Sequence, residues 1–326
     1  MEIKTAIVGA SGYTGVELIK ILLNHPHFKI KGLFGSEGKE RIENIYPFFK
    51  GVFEAEIEKT DIDKLKKFDL VFLAVPHKTA MNYVKELYGY TKIVDFSADY
   101  RLNQKNYEDY YCPHIDIKNL ENSVYGLPEI FREYIKKSLL VANPGCYPTA
   151  TILALYPFLE YIERDVFVDA KSGVSGAGKK LSENTHFVKD NENFFAYNPI
   201  KHRHSIEIAE KTGLNVTFVP QLLPITRGMQ ISIYVKLKKD IEPIEILKNF
   251  YKNEKFIRIF DKPVEIKQVV GTHYCDIFAM KNNNMLFINS VIDNLLRGAS
   301  SQAVANANLM FGFEEDLALP KIAYVP

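Results

Sequence analysis

The stretch Ile7-Val8-Gly9-Ala10-Ser11-Gly12-Tyr13-Thr14-Gly15 constrains the fold more than any other part of the chain. A short apolar strand runs into a glycine, two more glycines follow at three-residue steps, and the amphipathic stretch Val16 to Leu23 begins at once. Glycines at such a turn allow a tight reversal, close approach of backbone to a pyrophosphate, and close strand–helix contact. The helix start then offers unpaired N–H groups to an anion. The spacing, G-x-x-G-x-x-G, is one residue longer at the front than the commonest dinucleotide fingerprint, and an ordinary strand–helix turn is the plain alternative. Its place on the first strand, directly before a helix, weighs for a nucleotide site.

The rest of the first half fits that start. Ala6 to Val8, Ile30 to Phe34, Leu70 to Val75, Ile93 to Phe96 and Leu139 to Ala142 read as short buried strands separated by helical patterns. That alternation predicts an α/β, Rossmann-type doubly wound sheet. Tyr100 to Glu121, rich in Tyr, Asn and Asp, reads as a functional or covering loop. From about Asp165 the texture changes. Val166 to Asp169, Val216 to Val219 and Gln230 to Lys236 alternate apolar with polar residues, as strands of an antiparallel or mixed sheet with one covered face do. Asn191 to Lys201 is loop-like, and Ala299 to Met310 reads as a last helix of small residues.

With 41 Lys+Arg against 40 Asp+Glu, the formal charge of +1 gives no global electrostatic case for nucleic acid or a membrane surface. The first residues run straight into a strand without a signal-peptide layout, and no apolar run reaches the roughly 18 residues of a membrane span. Cys112, Cys146 and Cys275 form no CxxC pair, which suits a reducing cytoplasm and offers no thiolate metal site.

The most informative heptapeptide is Asn143-Pro144-Gly145-Cys146-Tyr147-Pro148-Thr149. A strand ends, Pro-Gly turns the chain, and a helical pattern begins, so Cys146 is placed at a helix N-terminus. There the helix dipole favours thiolate over thiol. Against this stands a small apolar residue filling a turn. A thiolate nucleophile needs a partner that handles protons near neutrality, and Lys201-His202-Arg203-His204 supplies two histidines. In an extended segment His202 and His204 diverge, and only one faces the cysteine. His25, His27, His77, His114, His186 and His273 lack such context and read as structural or exposed.

Two further segments suit anions. Ser172-Gly173-Val174-Ser175-Gly176-Ala177-Gly178 follows a strand with three glycines, a backbone nest for a phosphate or a nicotinamide ring. Thr226-Arg227-Gly228 sets an arginine between strands, where it can clamp a carboxylate or phosphate. Either is also compatible with plain turn chemistry. After the second strand, Ser36, Lys39 and Arg41 suit a 2′-phosphate while Glu37 suits ribose hydroxyls, so these residues leave NADP and NAD both open. No H-E-x-x-H, G-x-x-x-x-G-K-[ST] or paired-carboxylate pattern occurs.

Taken together, these motifs resemble the N-acetyl-gamma-glutamyl-phosphate reductases of arginine biosynthesis, in the semialdehyde dehydrogenase superfamily. The resemblance spans essentially the whole chain: GASGYTG at Gly9 to Gly15, DFSADYRL at Asp95 to Leu102, YGLPE at Tyr125 to Glu129, ANPGCYPT at Ala142 to Thr149, SGVSGAGK at Ser172 to Lys179, HRHSIEI at His202 to Ile208, TRGM at Thr226 to Met229 and DNLLRGASSQAVANANLM at Asp293 to Met310.

The resemblance implies a Rossmann domain over residues 1–146, completed by a C-terminal helix at about 299–326, and an α+β catalytic and dimerisation domain over 147–298. It implies NADPH-dependent reduction of N-acetyl-L-glutamyl 5-phosphate, with Cys146 forming a thioester and His202 as acid/base partner. Arg101, Ser172, Gly173, His204 and Arg227 are implied for substrate. Gly9, Ser11, Gly12, Tyr13, Thr14, Gly15, Ser36, Lys39, Pro76, Ser175, Gly176 and Asn294 are implied for NADP, and no metal is expected. A homodimer or homotetramer taking a small-molecule acyl phosphate follows from the same likeness, while the charge balance and apolar runs speak against a nucleic-acid or membrane partner and the scattered cysteines for the cytoplasm. The nearest alternative is the same chemistry on carrier-bound aminoadipyl phosphate, and aspartate-semialdehyde dehydrogenase is a more distant cousin. A non-catalytic NADP sensor is the alternative from another class.

Overall fold

The computed structural model describes residues 1–324 and divides into two compact units. The first comprises Met1–Pro144 with Ala299–Leu319, and the second Gly145–Gly298 with the chain from Pro320 onward. The chain thus changes unit after Pro144 rather than after Cys146, because Gly145 caps a helix of the second unit that Cys146 begins. Pro320 also goes with the second unit, where its carbonyl accepts from the His273 N–H at 2.8 Å. Val325 and Pro326, the end of the expected 299–326 segment, lie outside the described residues.

In the first unit an eight-stranded sheet has the order β3-β4-β2-β1-β5-β6-β8-β7. Its strands are β1 (Ile3–Val8), β2 (Phe28–Gly35), β3 (Glu40–Arg41), β4 (Glu56–Lys59), β5 (Leu70–Leu73), β6 (Lys92–Asp95), β7 (Val124–Tyr125) and β8 (Leu140–Ala142). All pair in parallel except β3 with β4. The central strands are apolar runs rather than alternating ones because helices cover both faces, and Leu70–Leu73 is buried at every position. Helix α1 (Tyr13–Leu23) lays Val16, Leu18, Ile19, Ile21 and Leu22 inward, and the C-terminal helix Ser301–Met310 packs against it.

The stretch from Tyr100 to Glu121 departs from the loop expected of it and holds two short helices, Gln104–Tyr110 and Ile117–Glu121. Its polar side chains build them locally. Asn103 Oδ1 caps the first by accepting from the Asn106 N–H at 2.9 Å. The Tyr107 ring is buried, with its hydroxyl donating to Asp99 Oδ1 at 2.9 Å.

The second unit carries a mixed seven-stranded sheet in the order β10-β11-β9-β12-β15-β14-β13. The strands are β9 (Ile162–Gly173), β10 (Phe195–Ala196), β11 (Asn215–Leu223), β12 (Met229–Leu237), β13 (Ile257–Ile259), β14 (Cys275–Asn282) and β15 (Met285–Ile292). The two-residue β10 lies inside the segment expected to be a loop. Helix α2 (Cys146–Leu155) is apolar on every side, as a fully covered helix must be, and packs on β12 and β15. Helix α3 (His204–Thr212) packs against α2 and β11. These two helices set the site in the second unit.

Candidate active site

Cys146 is the first residue of α2, behind an extended Gly145 at the N-cap. Glycine supplies no capping side chain, and a buried carboxylate from α3 takes that place: Glu207 Oε1 accepts from the Gly145 N–H at 2.9 Å. Thr149 closes the first turn by donating its hydroxyl to the Gly145 carbonyl at 3.0 Å. Cys146 is partly exposed, while Tyr147 to Leu155 are buried. The cysteine is therefore the accessible member of an otherwise enclosed helix start.

His202 and His204 do not diverge. His202 lies in a turn that leads into α3, not in an extended segment, so both rings come together at 4.8 Å between centroids. Each lies edge-on to Tyr147, at 5.9 and 5.8 Å. Tyr197 completes the cluster, 5.6 Å from the His202 ring and donating its hydroxyl to that of Tyr147 at 3.2 Å. Burial, reinforced by the Arg203 cation, lowers the His202 pKa to about 4. The ring is accordingly neutral at physiological pH. The His204 N–H donates to its Nδ1 at 3.2 Å, which puts the neutral ring's proton on Nε2. Burial pushes Tyr197 up to about 12, and the nearby Cys146 sulfur adds to that rise. Burial likewise raises Tyr147 far above its ordinary range.

Three loops of the second unit meet through Asp293 and Asn294. Asn294 Oδ1 accepts from the Gly228 N–H at 2.6 Å, and its Nδ2 donates to Ser175 Oγ at 2.9 Å. Asn294 thus ties the turn after β9 to the turn before β12. Ser172 is buried and Gly176 exposed on the same nest. Gly173 is a glycine by necessity, since a Cβ there would stand 2.8 Å from both the Arg227 nitrogen and the Ile225 oxygen. Arg227, expected to clamp a substrate anion, faces fully buried Asp293 with two nitrogens, Nε at 3.0 Å and NH2 at 3.1 Å.

The nucleotide motif stands in the first unit. Gly9 turns with φ +86°, and a Cβ on it would strike the Ala74 carbonyl at 2.1 Å. Gly15 is pressed against the Gly9 and Ala10 carbonyls in the same way, at 2.5 and 2.7 Å. Gly12 is different: a Cβ there would meet only the Gly9 oxygen, at 3.5 Å, so its open side is a cradle rather than a packing contact. Gly12 caps α1 without a side-chain acceptor, and the N–H groups of Tyr13, Thr14 and Gly15 have no acceptor within the helix. This start fits the pyrophosphate of a dinucleotide. Ser11 is partly exposed; Ser36, Glu37 and Lys39 are exposed after β2, and Pro76 after β5. Arg101 is buried, with Nε on the Asn143 carbonyl at 2.8 Å and NH2 on the Phe96 carbonyl at 2.7 Å.

Comparison with known proteins agrees with this geometry. Residues 4–138 match the family model described as "Semialdehyde dehydrogenase, NAD binding domain", and residues 146–294 match "Semialdehyde dehydrogenase, dimerisation domain". The N-acetyl-gamma-glutamyl-phosphate reductase of Sulfurimonas denitrificans is 55% identical, covering 99% of each chain. That of Campylobacter hominis is 56% identical over 98% of this chain and 99% of its own. The chain belongs to the N-acetyl-gamma-glutamyl-phosphate reductase family. The fold is shared more widely: aspartate semialdehyde dehydrogenase II of Vibrio cholerae has a TM-score of 0.72 at 16% identity, covering 96% of this chain and 99% of its own.

Within this reductase family member, sequence reasoning missed Glu207, Tyr197 and Asp293 as site-building residues. Glu207 had one local signal, an acid between Ile206 and Ile208 on an amphipathic helix. Tyr197 had none, and Asp293 had only its place at the head of the DNLLRG stretch, because their partners are distant in sequence. Among the described residues, no group of three or more His, Cys, Asp or Glu side chains is placed to hold a metal ion, and no helix is long and apolar enough to cross a membrane.

Proposed function

We propose that the chain reduces N-acetyl-L-glutamyl 5-phosphate to the 5-semialdehyde and phosphate through a thioester on Cys146. The observation that carries this reading is the partly exposed Cys146 at the start of α2, next in the chain to buried Tyr147, whose ring lies 5.9 Å from half-buried, neutral His202. The helix start favours the thiolate, which attacks the acyl carbonyl. The C–S bond forms, the C–O bond to phosphate breaks, and phosphate leaves with both electrons. His202 holds its proton on Nε2, gives it to the oxygen that gains charge as the carbonyl is attacked, and takes it back as the C=O re-forms and the leaving group departs. The carbon–sulfur bond breaks at the end, returning Cys146 as thiolate. NADPH, when bound, supplies the hydride that takes the acyl group to the aldehyde level. For that cofactor we assign Gly9, Gly12 and Gly15 to the pyrophosphate turn, with Ser36 and Lys39 receiving the 2′-phosphate.

Full-length relatives carry the N-acetylglutamyl name, which favours that acyl phosphate over the aminoadipyl one and over a sensor. We also propose a homodimer, built on the open face of the second sheet. Phe167, Tyr234, Phe287 and Met280 sit opposite one another in register across β9, β12, β15 and β14, forming an apolar row in which Phe167, Tyr234 and Met280 are exposed and Phe287 is partly covered. Cys112, Cys146 and Cys275 form no disulfide, which is compatible with the cytoplasm. The test is turnover with N-acetylglutamyl phosphate and with its aminoadipyl analogue, each with NADPH and NADH. Faster turnover of the N-acetylglutamyl substrate with NADPH is expected; equal or faster turnover of the analogue would reassign the substrate.

A further inference from the structure

Between β15 and the C-terminal helix the chain makes a turn of π-helix, Leu296–Ser300. Single turns of this wider coil are rare and recur at functional sites. Asp293 fixes where it starts. Its Oδ1 accepts from the Leu295 and Leu296 N–H groups at 2.9 and 3.0 Å, and its carbonyl accepts from the Gly298 N–H at 2.9 Å. The other oxygen of the same carboxylate accepts from the Gly271 N–H at 2.7 Å, and the pair holds Arg227.

This anchoring brings Gly298 against the cysteine. A Cβ built on Gly298 would stand 2.6 Å from Cys146 Cβ and 3.2 Å from Cys146 Cα, with the Asp293 carbonyl oxygen next at 3.4 Å. The first two are not the far end of a flexible side chain, so nothing there can swing aside. The approach itself demands glycine. Backbone pressed against one side of Cys146 Cβ confines the sulfur to the rotamers that remain.

We infer that Gly298 is a positioning residue for the Cys146 sulfur, held in place by Asp293. The inference rests on Cys146 being the nucleophile. Through Asp293, one anchor sets both the wall behind the sulfur and the orientation of the Arg227 guanidinium. A methyl group at 298 would push the Cys146 Cβ outward by a fraction of an ångström to an ångström, enough to cost on the order of 100-fold in rate.

The test is Gly298→Ala in the full chain, with kcat, KM and the iodoacetamide alkylation rate of Cys146 measured together. We expect kcat to fall about 100-fold with KM little changed and the alkylation rate altered. To separate positioning from misfolding, thermal stability is measured for Gly298→Ala with Cys146 present and with Cys146→Gly. Most of the stability lost with Cys146 present should be regained when the opposing Cβ is removed, the remainder being the 3.2 Å approach to the Cα. Wild-type kcat in Gly298→Ala would overturn the inference, as would an equal stability loss in both backgrounds. Loss of the nucleophile reading is distinguishable: it would show as turnover retained by Cys146→Ser, whatever Gly298→Ala does.

Discussion

Two turns of this chain share one design and end differently. β1 enters α1 through Gly12, and β8 leads to α2 through Gly145; both glycines are extended N-caps, and neither provides a capping side chain. At Gly12 a Cβ would meet only the Gly9 oxygen, in ordinary contact at 3.5 Å, and the first N–H groups of the helix have no acceptor within it. At Gly145 the chain fills the place itself, with the Glu207 carboxylate on the N–H and Gly298 packed behind the next residue. A strand–glycine–helix turn is thus a general anion-binding device, and what the rest of the chain brings to it decides its use. Left bare, it suits a phosphate. Filled and walled, it presents a single side chain, the Cys146 sulfur.

The largest effect should come from the filled turn. His202→Asn is expected to lower kcat by roughly 10²–10⁴-fold, and His204→Asn by far less. The reverse order would move the proton-transfer role to His204. The pH profile sharpens the point. With His202 held to about 4, below its ordinary 6.5, the ring is neutral across the working range, so kcat/KM should show no His202 inflection near pH 6.5. An inflection there that disappears in His202→Asn would contradict its burial as a neutral ring. The stability linkage has the same sign. Between about pH 6.5 and 4 the unfolded chain binds a proton that the folded ring does not, so this contribution is fully present above 6.5 and is lost as pH falls towards 4.

The bare turn predicts a split between two glycines. Gly12→Ala adds a methyl that meets only the Gly9 oxygen, at an ordinary 3.5 Å, so stability should change by less than about 0.5 kcal/mol while the NADPH KM rises about tenfold or more. Gly15→Ala drives a methyl into backbone carbonyls and should cost about 1–3 kcal/mol of stability. Equal stability losses would show that both glycines serve packing alone. The smallest effect belongs to exposed Lys39: Lys39→Ala should reduce the preference for NADPH over NADH by less than about tenfold, as expected of one screened surface charge. An unchanged preference would place the 2′-phosphate elsewhere.

Much of this was legible in the sequence because it is local. The glycine turn, the apolar runs of the parallel sheet and the cysteine before a helical pattern each declare themselves within about ten residues. The short helices after Tyr100 were not, since their apolar content is low and their stability comes from caps such as Asn103. The divergence of His202 and His204 belongs to an extended backbone, and a turn precedes α3 instead, with the Ser205 N–H on the His202 carbonyl at 2.9 Å. Arg227 was visible as a cation, but its partner Asp293 lies 66 positions away, and Glu207 lies 62 positions from Gly145. Pairings at that distance are made by the fold.

The central claim is covalent chemistry at Cys146, and capture of the acyl-enzyme tests it most directly. The protein is incubated with N-acetylglutamate 5-semialdehyde and NADP without phosphate, quenched in acid, and mapped by peptide mass spectrometry. The account predicts an N-acetylglutamyl adduct on the Cys146 peptide that phosphate discharges and that Cys146→Ser does not form. An adduct on another residue, or full turnover by Cys146→Ser, would contradict it.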